Sequence, residues 1–359
     1  MKGFKVDRKF GWDCHGLPIE NIVEKKLGIS GKDEIEKKVW IHTFNETCRE
    51  NVFTYAEEWK KTVKRMGRWV DMENDYKTMD TPFMESVWWV YKELYKKGLI
   101  YEGHRVVPYC PRCSTPLSNF EVNQGYKDKQ DKTATVKFKV TSPQPSPLKG
   151  EGEDTNTPLL SKDGLGEVYI LAWTTTPWTL VANLWLAVGK DLEYVQIQDK
   201  KTNELYILAT ERLWSYYKNE GDYEIIKNIK WSELVWIKYE AIFDDFITLK
   251  EKWELPQDIE LWENAYSVVE WHHVTTESGT GVVHIAPAYW EDDALIWKEQ
   301  KLGFVSHISD LWRTENLKEN NDVQVFDFND IALGNLKEEQ KTIQINTIDH
   351  SYPHCWRCD

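Results

Sequence analysis

VYILAWTTTPWTL, residues 168–180, carries the strongest local signal in the chain. Residues 168–172 have the β-branched and aromatic composition of a strand. Three consecutive threonines, 174–176, follow at the end of that strand and precede Pro177. Hydroxyl and freed backbone N–H groups at a strand end can bind a carbonyl oxygen or an activated water. Because β-propensity explains threonines equally well, the run needs partners before it indicates a site.

The segments around this stretch predict a β-rich middle of the chain. Val136, Phe138 and Val140 alternate like the residues of a strand, and residues 194–208 are typical of a hairpin with its turn at 199–203. Residues 141–166 contain a run rich in Pro, Gly, Ser and Glu that cannot bury a core, so we expect a disordered surface insertion there.

The first part of the sequence is predicted to be mostly helical. Thr43 and Glu46 form a capping-box pattern at the start of one helix, and a second helix is expected from Thr81, with Pro82 in its first turn, to Gly98. We expect the aromatic residues on the apolar faces of both helices to lie in the core.

Composition limits the function classes. The chain has 359 residues with 41% hydrophobic residues, and no apolar run is long enough to span a membrane. The net charge of −14 argues against generic nucleic-acid binding, although residues 1–70 carry 15 Lys and Arg against 11 Asp and Glu. The N-terminus lacks the apolar stretch of a secretory signal, so we expect a cytoplasmic protein.

Four of the six cysteines form two C-x-x-C pairs, Cys110 with Cys113 and Cys355 with Cys358. Such pairs predict a tetrahedral Zn²⁺ site, with four unrelated thiols as the weaker alternative and His354 as a less favoured substitute ligand. The long separation between the pairs implies that a whole domain is inserted between two halves of one zinc knuckle.

A third pattern is GTGVVHIAP, residues 279–287, in which a Gly-x-Gly turn feeds a short strand bearing His284. Glu291, Asp292 and Asp293 follow. A histidine and carboxylates beside a hydroxyl cluster suit hydrolysis or amine recognition. A lone histidine next to a strand is more often structural, so this pattern alone leaves both interpretations open.

Six motifs in order resemble isoleucyl-tRNA synthetases, which are class I aminoacyl-tRNA synthetases. They are GWDCHGLPIE (11–20), MGRWVD (66–71), PYCPRC (108–113), WTTTPWTL (173–180), GTGVVHIAP (279–287) and HCWRC (354–358). The resemblance implies an enzyme that activates isoleucine with ATP and attaches it to tRNA(Ile), and an inserted domain that hydrolyses mischarged valyl-tRNA(Ile). Isoleucine against valine is the standard illustration that one methylene gives too little discrimination, so that a second hydrolytic site is required.

The resemblance also implies roles for individual residues. Those expected in the editing pocket are Thr174, Thr175 and Thr176, with His284 limiting the size of the pocket and Asp293 holding the α-ammonium of the substrate. The residues expected to bind substrate elsewhere are Asp13, which would meet the amino group of isoleucine in the synthetic site, together with His15 and Trp178.

The fold class implied by the resemblance is α/β. Residues 1–132 are expected to form part of a Rossmann-like catalytic domain with a helical segment and half of the zinc knuckle. Residues 133–345 are expected to form an inserted, β-barrel-rich editing domain, and residues 346–359 to return to the catalytic domain. Implied cofactors are Zn²⁺ and, for a complete enzyme, ATP with Mg²⁺. Implied partners are tRNA(Ile), isoleucine, valine and their adenylates, with a monomeric state and no membrane.

Two family signatures, the HIGH and KMSKS motifs, are missing from the sequence. We therefore expect a fragment that does not activate isoleucine alone. Two further interpretations stay open: a non-catalytic RNA-binding module stabilised by zinc, and an inactive fragment that needs missing parts to fold.

The sequence contains 19 Trp and 19 Gly, whereas average usage would give about 25 Gly. Several tryptophans stand where the family pattern or turn chemistry calls for glycine. The clearest is Trp290, similar cases are Trp236, Trp271 and Trp297, and weaker ones are Trp40, Trp185 and Trp214. Either some codons read here as tryptophan encode glycine, as where UGA is read as glycine, or the family pattern has diverged. A genuine Trp290 would put the editing geometry in doubt.

Overall fold

The computed structural model describes residues 2–358, apart from residues 104, 114, 143–166, 253, 257, 258, 262, 301, 302 and 357. The predicted insertion lies outside the described residues except for Thr141 and Ser142, which end a strand. The chain divides into two compact units. Unit 1 comprises residues 1–104, 109–117 and 355–359, and unit 2 comprises residues 105–108 and 118–354.

Unit 1 contains four helices and four short strands in its described part. In chain order they are β1 (Lys9–Trp12), α1 (Leu17–Leu27), α2 (Lys32–Glu34) continuing as a π-helical turn (Ile35–Val39), α3 (Ile41–Arg65), β2 (Asp71–Lys77), α4 (Thr81–Lys96), β3 (Tyr109–Cys110) and β4 (Thr115–Pro116).

Strands β1 and β2 form a parallel pair. The pair is reinforced by Trp12, whose Nε1 donates to Asp75 Oδ2 at 2.7 Å, and by the Cys14 backbone N–H, which donates to Thr78 Oγ1 at 2.9 Å. A small apolar cluster around Val23 and Phe44 packs α1 against α3. A Rossmann-like identity for this unit stays a prediction.

Two expectations about the helices were wrong. Helix α3 begins at Ile41, so Thr43 lies inside the helix and the expected capping box is not formed. Helix α4 has no buried residue: the exposed fractions of Trp88 and Tyr91 are 67% and 58%. An apolar stripe predicts a face that can pack, but the described part of unit 1 supplies nothing that covers it. No helix in the described ranges is long and apolar enough to cross a membrane.

Unit 2 is built around one large sheet. In chain order its elements are α5 (Asn119–Val122), β5 (Tyr126–Ser142), β6 (Val168–Thr174), a 3₁₀ turn (Pro177–Ala182), β7 (Trp185–Val188), β8 (Glu193–Asp199), β9 (Leu205–Ala209), a 3₁₀ turn (Thr210–Arg212), α6 (Leu213–Tyr216), a 3₁₀ turn (Glu220–Asp222), β10 (Tyr223–Lys230), α7 (Trp231–Leu234), β11 (Lys238–Tyr239), α8 (Asp245–Glu251), β12 (Ser267–Glu270), β13 (Val282–Ile285), α9 (Glu291–Gln300), α10 (Val325–Glu338) and β14 (Thr342–Pro353).

The strands of this sheet are ordered β10-β8-β9-β6-β5-β11-β12-β7-β13, with β14 paired to β5. The predicted hairpin is confirmed as β8 and β9, and the predicted strands around Val136 and Val168 are confirmed as β5 and β6. The turn before β13 returns to the middle of the sheet, where Thr280 Oγ1 donates to the Leu171 carbonyl at 2.6 Å. The sheet therefore curls back on itself around a core that includes Phe138 and Leu186.

Unit 2 is wider than the predicted editing domain. Strand β5 starts at Tyr126 and pairs with β14 from its first residue, as far as Pro353. The main segment of this compact unit consequently runs from 118 to 354, whereas the sequence predicted an editing domain over 133–345. The functional boundaries at 132/133 and 345/346 stay predictions.

Candidate functional site

A cavity of about 300 Å³ in unit 2 brings the three sequence patterns of this unit together. The described residues that line it are 173–176, 271, 273–275, 278–285, 290, 292 and 293. The threonine run, the Gly-x-Gly turn with its histidine, and the acidic segment therefore face one space. This assembly is a tertiary consequence of the fold, since about a hundred residues separate the threonine run from the other two patterns in the sequence.

The threonine run lies where β6 ends and a 3₁₀ turn begins at Pro177. Thr174 Oγ1 accepts the Thr176 backbone N–H at 3.0 Å, and the hydroxyl oxygens of the two residues lie 3.4 Å apart. The Thr176 hydroxyl lies a further 3.3 Å from that of Thr179. The segment is thus a chain of adjacent hydroxyls, and Thr175 lines the same cavity.

His284 is presented by β13 and lies 3.2 Å, Nε2 to Oγ1, from Thr179. Its side chain is buried, and burial lowers its pKa to about 4 because the charged imidazolium loses its hydration. The ring is therefore neutral at physiological pH. Nδ1 is buried without a hydrogen-bond partner among the described residues.

The Gly-x-Gly turn places His284 because only glycine fits its backbone. Gly281 has a φ of +75°, and a Cβ there would lie 2.3 Å from the Cβ of Ala209. The turn is held from outside by Arg212, whose Nε donates to the Gly279 carbonyl at 2.8 Å. The tight approach of the turn to β9 sets the direction in which β13 enters the cavity.

Asp293 lies in the first turn of α9 and is buried. Its Oδ2 accepts the Ala286 backbone N–H at 2.7 Å. Burial raises its pKa to about 7, which the Ala286 hydrogen bond opposes and the neighbouring Asp292 carboxylate reinforces. A carboxyl group with a pKa raised in this way lacks a nearby cation that would stabilise its ionised form. The cavity is therefore suited to bind a cation beside Asp293.

Aromatic and charged groups surround the cavity. The indoles of Trp173, Trp271 and Trp290 line it, and His273 Nε2 lies 3.6 Å from Asp292 Oδ1. Sequence reasoning missed His273 and Thr179 as parts of the site. Thr179 could have been recognised as the fourth hydroxyl residue of the TTTPWT run. No sequence pattern pointed to His273.

Trp178 is absent from the described lining of the cavity. Its ring packs edge-on against Tyr289, with ring centroids 4.8 Å apart, and its backbone N–H donates to Asn329 Oδ1 at 3.2 Å. Asp13 and His15 belong to unit 1, where both are exposed and Asp13 Oδ1 accepts the His15 backbone N–H at 3.3 Å. Substrate contacts for these three residues stay predictions.

Cys110, Cys113, Cys355 and Cys358 come together in unit 1, with all four sulfur atoms within 4.8 Å of one another. Cys110 Sγ and Cys358 Sγ lie 3.5 Å apart. A tetrahedral zinc with bonds of about 2.3 Å separates its sulfur ligands by about 3.8 Å, so the cluster has the dimensions of a four-thiolate site. His354 donates through Nδ1 to the Tyr352 carbonyl and lies outside this cluster.

Comparison with known proteins places the chain in a family. The family described as tRNA synthetases class I (I, L, M and V) matches residues 1–279. The chain belongs to the class I tRNA synthetases. Over its whole length it is 46% identical to the isoleucine--tRNA ligase of Treponema denticola, of which it covers 32%, and 43% identical to the cytoplasmic isoleucine--tRNA ligase of Mus musculus, of which it covers 26%. The chain thus spans about a third or less of these relatives.

Among solved structures, the editing domain of the P. falciparum cytosolic leucyl-tRNA synthetase aligns with 62% of this synthetase chain and all of its own. The identity is 11% and the TM-score 0.42. A likeness at this level does not establish a shared fold.

Proposed function

We propose that unit 2 carries the editing site of an isoleucyl-tRNA synthetase and hydrolyses the ester of valyl-tRNA(Ile). The observation that supports this function best is the shared cavity of Thr174, Thr176, His284 and Asp293. A buried carboxyl group and a chain of hydroxyls are the two features that an aminoacyl ester requires, since it combines an α-ammonium with a carbonyl.

Asp293 binds and orients the substrate. An incoming α-ammonium supplies the positive charge that the buried carboxyl lacks, lowers its pKa and keeps it ionised. The carboxylate then holds the amino acid by a charge-assisted hydrogen bond. This contact fixes the carbonyl carbon relative to the threonines, and positioning of this kind makes a large contribution to catalysis.

The threonine hydroxyls act on the carbonyl. Water adds to the ester carbon, negative charge develops on the carbonyl oxygen, and the hydroxyls at the end of β6 donate to that oxygen. The ester C–O bond then breaks, and the tRNA oxygen takes up the proton that the water has released. Neutral His284 holds Thr179 by a hydrogen bond and limits the space for the substrate side chain.

Several further assignments rest on family membership and belong to this proposal. The four cysteines of unit 1 would hold Zn²⁺, which would tie two distant stretches of the chain together. Unit 1 would be part of a Rossmann-like domain in which Asp13 and His15 contact isoleucine. A complete enzyme would use ATP with Mg²⁺, isoleucine and tRNA(Ile) in the cytoplasm, as a monomer. The non-catalytic RNA-binding module is not favoured.

The role of Asp293 is tested by comparing Asp293→Ala with Asp327→Ala, which removes an exposed carboxylate in the first turn of α10. We expect Asp293→Ala to lower the rate of valyl-tRNA(Ile) hydrolysis at least about a hundredfold with retained circular dichroism, and Asp327→Ala to leave the rate unchanged. Full activity in Asp293→Ala would remove the ammonium contact from the mechanism.

A further inference from the structure

Three tryptophans occupy backbone conformations that favour glycine. Trp40, Trp236 and Trp312 have φ values of 77°, 68° and 56°. Nine non-glycine residues in the described ranges have positive φ, and three of these are Trp, although Trp makes up only 19 of the 359 residues. A positive φ brings Cβ close to the following carbonyl oxygen, so a bulky side chain there is an outlier.

Trp40 ends one helix and precedes another. Its backbone N–H closes the π-helical turn on the Ile35 carbonyl at 2.8 Å, and α3 begins at the next residue. With φ 77° and ψ 137° Trp40 combines a positive φ with an extended ψ, as do Gly16 (φ 102°, ψ 176°) and Gly31 (φ 82°, ψ 167°), which directly precede α1 and α2. This region of backbone space is essentially restricted to glycine. The indole is 78% exposed, so packing does not offset the strain.

Trp236 lies at the third position of a tight turn. The Ile237 N–H donates to the Leu234 carbonyl at 3.1 Å, and Val235 has φ −61° and ψ 133°. These angles, followed by a positive φ, define a type II turn, which requires glycine or asparagine at the position of Trp236. The indole Nε1 is also buried without a hydrogen-bond partner among the described residues, which is unusual for tryptophan.

Trp312 ends a three-residue hairpin loop. Ser309 and Arg313 are joined by a backbone hydrogen bond of 2.9 Å, and the Trp312 N–H returns to the Ser309 carbonyl at 2.9 Å. Ile308 and Thr314 form the next antiparallel bridge. A turn closed by a left-handed residue is the common three-residue hairpin, and glycine is the residue that this left-handed position favours.

We infer that positions 40, 236 and 312 are glycine in the protein made by the source cell, because the codon rendered here as tryptophan is decoded there as glycine. The three positions belong to three unrelated turn types, and glycine is favoured at each for a separate geometrical reason. Genuine divergence to tryptophan would have to introduce the same unfavourable residue three times independently. This inference concerns the identity of the residues and is independent of the proposed hydrolysis.

The codons and the peptide masses test the inference directly. We expect UGA at positions 40, 236 and 312 of the gene, and UGG at position 12, where the indole donates a hydrogen bond to Asp75. In the protein isolated from the source, peptides containing the three positions should be lighter by the difference between tryptophan and glycine. UGG codons at the three positions, or peptides with the mass of tryptophan, would overturn the inference.

Recombinant variants of the chain provide a test that needs no source material. Trp40→Gly should raise the melting temperature by a few degrees, because it relieves the positive φ of an exposed residue. Trp40→Ala, which removes the indole but keeps Cβ, should not reproduce the gain, and Trp12→Gly should lower the melting temperature. A lower melting temperature for Trp40→Gly than for Trp40→Ala would contradict the inference.

Discussion

Asp293 is the residue at which the proposed function and the stability of the fold conflict. Its pKa of about 7 in the folded protein lies well above the value of about 3.9 for an unfolded chain. Between these two values the unfolded state loses its proton while the folded state keeps it. Stability is therefore lost as the pH rises through this window, by up to about 4 kcal/mol.

We therefore expect Asp293→Asn to be more stable than the parent above pH 7, with a difference that shrinks as the pH falls towards 4. Asparagine does not titrate, and its carbonyl oxygen can still accept the Ala286 N–H. Melting temperatures from pH 4 to pH 8 measure the effect, with exposed Asp327→Asn as the control. A constant difference across this range would show that burial does not perturb Asp293.

Thr179 joins the threonine run to His284 and is completely buried. Thr179→Val keeps the shape of the side chain but leaves His284 Nε2 without its partner, which should cost about 1–3 kcal/mol of folding free energy and lower the hydrolysis rate. Thr179→Ser keeps the hydroxyl and should retain most of the activity. Chemical denaturation and deacylation rates check both effects. Equal rates for the two variants would exclude a role for this hydroxyl.

At the scale of the element, the sequence predicts structure where its signal is local. The hairpin of β8 and β9 and the strand that ends in the threonines follow from alternation and turn residues. The parallel pairing of β7 with β12 could not be predicted, since about eighty residues separate Trp185 from its partner Ser267. Likewise, the capping-box pattern at Thr43 was overridden because the helix begins at Ile41.

The residues of the candidate site likewise divide into those that local motifs predict and those that only the tertiary fold brings to the cavity. Thr174, His284 and Asp293 could be predicted because they belong to recognisable motifs, and all three line the cavity. His273 could not be predicted, because no motif surrounds it and only the path of the chain after β12 brings it to the rim. Trp178 lies in the right motif, but its ring packs against Tyr289.

At the scale of the element, the proposed zinc site predicts that the thiol cluster of unit 1 is stabilised by a metal. Chelation of Zn²⁺, or Cys110→Ser, should lower the melting temperature by several degrees, because thiols at four adjacent positions, three of them buried, would lose the cation that they share. Cys48→Ser, at a half-buried cysteine of α3 outside the cluster, is the matched control and should have little effect. Metal analysis of the purified chain gives the stoichiometry. An unchanged melting temperature on complete chelation would contradict a structural zinc.

At the scale of the whole molecule, one family match, over residues 1–279, includes residues of both units. The chain matches the class I tRNA synthetases over most of its length but spans only about a third or less of its curated relatives. The net charge of −14 makes strong nonspecific RNA binding unfavourable. Under the proposed function, recognition of tRNA would therefore depend on local surfaces and on the cavity, and hydrolysis is the activity by which the cavity is tested.

The most direct test of the account is the rate at which the purified 359-residue chain hydrolyses valyl-tRNA(Ile), compared with isoleucyl-tRNA(Ile) under the same conditions. The account predicts rapid loss of valine and retention of isoleucine, since the cavity behind the threonines is limited by His284. A folded chain that hydrolyses neither ester, or hydrolyses both at the same rate, would contradict the proposal that unit 2 is an editing site for valine.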